Sequence, residues 1–151
     1  FIRNAVFKAP ATAAVPYMPA VAYCDPEVAK IGLTEAQARE QFGSDVTVTK
    51  PEFEDNDRAQ TERSTEGFCK LIIGKGGKIL GATVVGEGAG EAIQLLGLAM
   101  ANKKGVGAIT SLISPYPTRS EIVKRAAGAY FTPKLFSDRT RKLVKFLKLF
   151  G

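Results

Sequence analysis

The chain has 151 residues, of which 45% are hydrophobic and 24% charged, and it carries a formal net charge of +6. This length and composition favour one globular domain, and no apolar run is long enough to cross a bilayer. The absence of histidine excludes a histidine-dependent catalytic triad and removes the commonest metal ligand, so we expect no metal site. Because the chain begins with Phe1 rather than methionine, we expect it to be part of a longer protein.

The first third of the chain is predicted to contain two strands and one helix. Residues 1–19 are apolar and rich in Pro and Ala, and we expect a connector from an upstream domain. A short strand is predicted at 21–24, and Thr34 has the position of a cap for a helix over 35–42. Residues 45–50 alternate β-branched and polar side chains, which predicts a second strand.

A β-hairpin is the strongest local pattern in the middle of the chain. Residues 51–65 are charged and irregular, which favours a loop or a short helix. Residues 67–73 and 78–85 are apolar and joined by a Gly-rich turn, so they are predicted to pair. Three helices are predicted to follow, at 90–102, 106–113 and 121–130. This order favours an α+β fold with an antiparallel sheet flanked by helices.

The glycines at 86, 88 and 90 follow a predicted strand and open a helix, as a dinucleotide-binding turn would. The third glycine of the Gly-x-Gly-x-x-Gly pattern would fall on Glu91, whose carboxylate would repel a pyrophosphate. We therefore predict a tight turn between strand and helix rather than a nucleotide site.

The segment Ser-Pro-Tyr-Pro-Thr-Arg-Ser-Glu at 114–121 is the most informative stretch of the chain. Two prolines hold Tyr116 in a stiff, non-helical conformation. Thr118 and Glu121 have the Thr-x-x-Glu spacing of a capping box. Two interpretations stay open: a loop that presents Tyr116 to another group, or a Pro-rich loop that leads into a capped helix.

The positive charge is concentrated in residues 133–151, which hold six Lys or Arg against one Asp, whereas the remainder is nearly neutral. This distribution describes a basic tail rather than a nucleic-acid-binding surface. Pro133 is predicted to end the preceding helix, and Ser137 or Asp138 to cap a new one that runs to about Phe150. Its predicted apolar stripe is Leu143, Phe146, Leu147 and Phe150, opposite Arg141, Lys145 and Lys148. Residues 139–151 are expected either to contact an anionic membrane surface or to pack on a domain of the protein.

The two cysteines, Cys24 and Cys69, form no Cys-x-x-Cys motif and have no zinc spacing. We expect each to be a small buried residue in a reducing compartment, which favours the cytoplasm.

A set of short motifs occurs in order over residues 17–130. They are Tyr23-Cys-Asp-Pro-Glu-Val-Ala-Lys-Ile-Gly-Leu-Thr-Glu35, Asn56-Asp-Arg-Ala59, Gly67-Phe-Cys-Lys70, Ile79-Leu-Gly-Ala82, Gly86 with Glu91, and Pro117-Thr118 with Ser120-Glu121. Together they resemble the C-terminal dimerisation domain of the pyridine nucleotide–disulfide oxidoreductases, which include dihydrolipoamide dehydrogenase, glutathione reductase and mercuric reductase.

The resemblance implies a division of the chain and a homodimer. Residues 1–16 would be the end of a preceding FAD-binding domain, 17–132 the dimerisation domain, and 133–151 a basic amphipathic helix. The helices at 90–102 and 121–130 would face the two-fold axis. FAD and NAD(P) would be bound by upstream domains of the full-length protein and none by this fragment.

The resemblance also implies a cross-subunit site. Pro115, Tyr116 and Pro117 would contact the partner's FAD, Tyr116 and Glu121 would be catalytic, and the Tyr116–Pro117 peptide bond would be cis. The family's usual motif is His-Pro-Thr-x-x-Glu, so Tyr116 stands at the histidine position. A phenol, with a reference pKa near 10 against about 6.5 for imidazole, exchanges protons less readily at neutral pH.

Tyrosine at this position resembles mercuric reductase, but the tail lacks that enzyme's cysteine pair, which leaves the substrate unassigned. The alternative is a purely structural dimerisation module.

Overall fold

A five-stranded antiparallel sheet forms the centre of the fold in the computed structural model, which describes residues 2–10 and 17–148. The strands are β1 (Ala20–Ala22), β2 (Val28–Gly32), β3 (Thr47–Thr49), β4 (Phe68–Ile73) and β5 (Ile79–Val85). The helices are α1 (Ile2–Phe7), α2 (Glu35–Phe42), α3 (Asp57–Glu62), α4 (Ala89–Ala101), α5 (Val106–Thr110), α6 (Glu121–Ala129), α7 (Thr132–Leu135) and α8 (Asp138–Leu147). The predicted α+β fold with an antiparallel sheet is therefore confirmed.

The strand order β1-β2-β5-β4-β3 places β5 at the centre of the sheet. In its register Ala82 lies between Ile31 of β2 and Leu71 of β4, and all three are buried. Gly81 lies where a larger residue would not fit, because an added Cβ atom would be 2.0 Å from the carbonyl oxygen of Leu33.

Two apolar clusters hold the helices to the two faces of the sheet. The larger cluster joins one face to α4, α5 and α6. Its fully buried members include Ile93 and Leu96 of α4 and Ile122 of α6. The smaller cluster joins Ala38 of α2 to Ile72, Leu80 and Val46 on the opposite face. Burial of this kind stabilises the fold by roughly 25 cal/mol for each Å² of apolar surface.

Strand β2 was not predicted from the sequence. Its buried positions are only Ala29 and Ile31, which alternate with the exposed Val28, Lys30 and Gly32. Ala, Lys and Gly are poor strand formers, so the strand exists because β1 and β5 pair with it on both sides.

Helix α6 ends at Ala129, before Pro133 as predicted, but the short helix α7 that follows was not predicted. Pro133 lies in the first turn of α7. Backbone N–H groups in the first turn have no acceptor within the helix, so proline breaks no hydrogen bond there. Helix α8 begins as predicted, since the Ser137 hydroxyl accepts the backbone N–H of Thr140 at 3.3 Å. Residue 150, the last position of the predicted stripe, lies outside the described residues. So do residues 11–16 of the expected connector, whose beginning contains helix α1.

Candidate functional site

The loop between α5 and α6 carries Tyr116 at the surface of the domain. The side chain of Tyr116 is 73% exposed, and its hydroxyl donates a hydrogen bond to Oδ2 of Asp57 at 2.9 Å. Asp57 is the first residue of α3. The Tyr116–Pro117 peptide bond is cis, as expected.

Asn56 fixes one end of this loop to the start of α3. Its side chain is only 4% exposed. The Oδ1 atom accepts the backbone N–H of Ala59 at 3.0 Å, which caps α3, and Nδ2 donates to the carbonyl oxygen of Thr118 at 3.1 Å. At the other end, Nζ of Lys124 donates to the carbonyl oxygen of Leu112 at 2.7 Å. The loop is thus held by side chains of α3 and α6.

Arg119 provides a further attachment. Its side chain is 13% exposed and pairs with Glu62 at 2.6 Å and with Glu87 at 2.8 Å. A third hydrogen bond joins the guanidinium to the carbonyl oxygen of Ser64 at 3.1 Å. The bond from Arg119 is also the main reason that the pKa of Glu62 lies below its usual value.

Glu121 makes one of the two hydrogen bonds of the predicted capping box, and the other is missing. The Oε2 atom of Glu121 accepts the backbone N–H of Thr118 at 3.0 Å. Helix α6 begins at Glu121, so this residue is the first of the helix and not the third. The Thr118 hydroxyl therefore does not cap the helix, and it donates instead to the carbonyl oxygen of Pro115 at 3.2 Å.

The electrostatics of the loop keep the phenol of Tyr116 protonated. The hydrogen bond to Asp57 raises the pKa of Tyr116, and the negative charges of Asp57 and Glu121 act in the same direction. At neutral pH the tyrosine is thus a hydrogen-bond donor and not a base. Beside it lies a surface cavity of about 260 Å³, lined by Asn56, Asp57, Glu121, Lys124 and Arg125.

The predicted residues Pro115, Tyr116 and Pro117 lie on this loop, and Glu121 lies at the start of α6, where it accepts the Thr118 N–H. Sequence reasoning missed the contribution of Asp57, although Asp57 belongs to the quoted motif at 56–59. The local signal that could have identified Asp57 as part of the site is its position directly after Asn56, the buried cap of α3.

The glycine turn that resembles a dinucleotide site does not fit a dinucleotide. The backbone N–H of Gly90, at the start of α4, donates to Oε2 of Glu27 at 3.0 Å. A pyrophosphate at this helix terminus would have to displace the Glu27 carboxylate and would also meet Glu91. The residues present therefore fit a tight turn that is capped by the protein itself.

The two cysteines differ in environment. Cys69 is fully buried as expected, and burial raises the pKa of its thiol to about 12. The expectation was wrong for Cys24, which is exposed because it lies beyond the end of β1, and its thiol contacts the carbonyl oxygen of Pro26 at 3.2 Å. Within residues 2–10 and 17–148, no three His, Cys, Asp or Glu side chains lie together as metal ligands would.

Comparison with known protein families gives a match over residues 18–127 to the model described as "Pyridine nucleotide-disulphide oxidoreductase, dimerisation domain". A dihydrolipoyl dehydrogenase from Bacillus subtilis is 40% identical over 111 residues, which are 73% of this chain and 23% of that protein. A dihydrolipoyl dehydrogenase from Synechocystis is 35% identical over 113 residues, or 72% and 24% of the two chains. A mercuric reductase from Shewanella putrefaciens is 38% identical over 115 residues, or 75% and 20%. The match thus spans less than a quarter of the length of these relatives.

Two solved structures share the fold. The structure of LpdA from Mycobacterium tuberculosis superposes with a TM-score of 0.77 at 21% identity, over 85% of this chain and 28% of that one. The HOCl-induced flavoprotein disulfide reductase RclA from Escherichia coli gives a TM-score of 0.77 at 23% identity, over 84% and 30%.

Proposed function

Because this chain belongs to the pyridine nucleotide-disulphide oxidoreductases and contains their dimerisation domain, we propose that it completes the active site of its partner subunit in a homodimeric flavoenzyme. In this proposal residues 1–16 end an FAD-binding domain, 17–132 form the dimerisation domain, and 133–151 form a separate basic helix. Upstream domains bind FAD and NAD(P), and the fragment alone binds neither and is inactive. When bound, FAD would carry electrons from NAD(P)H to the substrate. The free thiols favour a cytoplasmic enzyme.

The observation that carries the proposal is the exposed tip of Tyr116 on a firmly held loop. An exposed aromatic side chain normally gains little from being fixed in one place. Here, however, Asn56 and Lys124 hold the two ends of the loop, and Asp57 holds the phenol itself. Such an arrangement suits a group that must meet a second subunit in one orientation.

Each residue of the loop has a defined role in this proposal. Tyr116 donates a hydrogen bond toward the reacting group in the partner's site, and the flanking Pro115 and Pro117 cover the edge of the partner's flavin. Glu121 accepts the Thr118 N–H and orients the loop. Since the pKa of Tyr116 is raised, proton exchange with the substrate requires another group, and the substrate itself stays unassigned.

Exposed apolar side chains on α4 and after α5 support a homodimer. Leu98 is 64% exposed, Leu112 42% and Ile113 94%. Leu98 and Leu112 border a surface cavity of about 310 Å³ between the two helices. Helix α6, by contrast, turns Ile122 and its other apolar side chains into the core. We therefore propose that α4 and the end of α5 supply most of the apolar contact at the two-fold axis.

The test is Tyr116→Phe in the full-length enzyme. The variant keeps the ring and removes the hydroxyl, so NAD(P)H should reduce the flavin at the normal rate while turnover of the disulfide substrate slows. Unchanged turnover with every substrate would leave the alternative, a purely structural dimerisation module, in which Tyr116 only packs against the partner.

Subunit mixing tests the cross-subunit arrangement directly. A Tyr116→Phe subunit is mixed with a subunit whose upstream redox cysteines are replaced by serine. If Tyr116 acts across the interface, each mixed dimer contains one intact site, and random reassortment restores about one quarter of the wild-type activity. If Tyr116 acts within its own subunit, mixing restores nothing.

A further inference from the structure

The apolar side chains of helix α8 lie largely exposed at the surface of the described part of the chain. None of its residues is buried. Leu143 is 55% exposed, Val144 46% and Leu147 57%. The short helix α7 just before it adds Leu135 at 60% and Phe136 at 69% exposure. All of these exposed apolar residues lie outside residues 18–127, the segment that matches the family model.

Basic residues surround this apolar face. At about 100° per residue, the apolar positions 143, 144, 146 and 147 cover an arc of about 160°. Arg141, Lys145 and Lys148 lie opposite, Lys142 lies outside one border of the arc, and Arg139 lies just inside that border. The only acidic residue is Asp138, which is 3.9 Å from Arg141. The helix is therefore both half apolar and strongly cationic.

The apolar face and the basic residues of α8 together indicate which kind of partner the helix binds. Nucleic acid would attract the positive charge but would leave the leucines in water. A groove on another protein would cover the leucines but would not require four basic residues on a helix of ten residues and a fifth, Lys148, at its C-terminal cap. An anionic membrane surface satisfies both, because the apolar half enters the boundary of the acyl chains while lysine and arginine reach the lipid phosphates.

We propose that α8, together with Leu135 and Phe136, lies in the headgroup layer of an anionic membrane and holds the protein at that surface. The helix lies in the plane of the interface and does not cross the bilayer. Over residues 2–10 and 17–148, no helix is long and apolar enough to span a membrane. Helix α8 is held close to the end of α7, since the Ser137 and Thr140 hydroxyls both donate to the carbonyl oxygen of Lys134.

Co-sedimentation of the full-length protein with vesicles tests the proposal. One set of vesicles contains phosphatidylcholine with phosphatidylserine, and the other contains phosphatidylcholine alone. We expect binding to the anionic vesicles at low salt, much weaker binding to the neutral ones, and release when salt is raised. Absence of binding to the anionic vesicles at low salt, or equal binding to both sets, would overturn the proposal.

Two double variants separate charge from apolar insertion. Lys145→Gln with Lys148→Gln should weaken partitioning about 25-fold, since each basic residue near the surface contributes about fivefold. The matched control is Lys75→Gln with Lys78→Gln, which removes the same charge from exposed positions in the turn between β4 and β5 and should leave binding nearly unchanged.

Leu143→Gln with Leu147→Gln keeps the charge and should abolish binding, as should removal of residues 139–151. The thermal midpoint reports whether the domain is intact, and it should not move because these side chains are not part of the core. If either the leucine pair or the lysine pair can be replaced without loss of binding, or if the control pair weakens binding as much as the lysine pair does, the contact lies elsewhere and the proposal fails.

Discussion

Replacing Asn56 by Ala should destabilise the domain and loosen the Tyr116 loop at the same time. The side chain makes two hydrogen bonds from a buried position, one to the backbone of α3 and one to the carbonyl oxygen of Thr118. Loss of the helix cap costs about 1 kcal/mol. A buried carbonyl that loses its donor costs about 1–3 kcal/mol. The lower value applies here, because the oxygen of Thr118 also accepts the backbone N–H of Glu121 at 3.3 Å.

The expected loss is thus about 2 kcal/mol, which lowers the thermal midpoint by roughly 4–8 °C for a chain of this size. Denaturant unfolding measures the loss in free energy. Hydrogen–deuterium exchange measures the second effect, and it should become faster over residues 114–121 than in the wild type.

Two variants act as controls. Asn56→Ser keeps an oxygen that can cap α3 but loses the donor to Thr118. Its loss in the free energy of unfolding should therefore be only about half of the loss for Asn56→Ala. Asn102→Ala removes a hydrogen bond to the carbonyl oxygen of Leu98 from an exposed residue and should cost less than about 0.5 kcal/mol. If Asn56→Ala were no more harmful than Asn102→Ala, or left exchange in the loop unchanged, the assigned role of Asn56 would be wrong.

Three further changes have defined outcomes. Asp57→Asn should lower the raised pKa of Tyr116 toward its usual value. Ultraviolet absorbance measures this titration, and subtracting the titration of the double variant Asp57→Asn with Tyr116→Phe isolates the signal of Tyr116. Because folding raises that pKa, the bond stabilises the wild type below pH about 10, and this stabilisation is lost as the pH rises through the folded-state pKa. An unshifted titration would contradict the assigned bond. Leu98→Glu should shift the sedimenting species of the full-length protein from dimer toward monomer without unfolding it, and an unchanged dimer would place the interface elsewhere. Gly81→Ala should destabilise by about 3 kcal/mol or more, because its Cβ atom would overlap a backbone oxygen, whereas Gly107→Ala, with open space around it, should be neutral or stabilising.

Elements with a strong local pattern could be predicted from the sequence. The hairpin at 67–85 and the helix at 35–42 have clear periodicity and, for the helix, a capping threonine whose hydroxyl accepts the N–H of Gln37. Strand β2 could not be predicted, since Ala29 and Lys30 have little preference for a strand. It is stabilised by pairing with β5, about 50 residues later in the chain.

The features of the site also divide into those with a local sequence pattern and those that depend on distant residues. The Pro-Tyr-Pro pattern is local, so the exposed position of Tyr116 could be expected. Its hydrogen bond to Asp57 and the bond from Asn56 to Thr118 join residues about 60 positions apart, and such contacts leave no pattern in either segment. The missing half of the capping box, the bond to the Thr118 hydroxyl, has a local cause: the helix starts at Glu121, three residues after Thr118.

The central position of β5 has a consequence for the way the chain is made. On the ribosome, the strands β1 to β4 emerge first, yet β2 and β4 do not pair with each other and both need β5 between them. Until Val85 leaves the exit tunnel, the nascent chain can form only two separate hairpins, β1 with β2 and β3 with β4, and isolated hairpins are marginal in water. A chain stalled before β5 has emerged should therefore be cut rapidly by protease. Protection should appear in a single step once β5 and the covering helix α4 are both outside the tunnel.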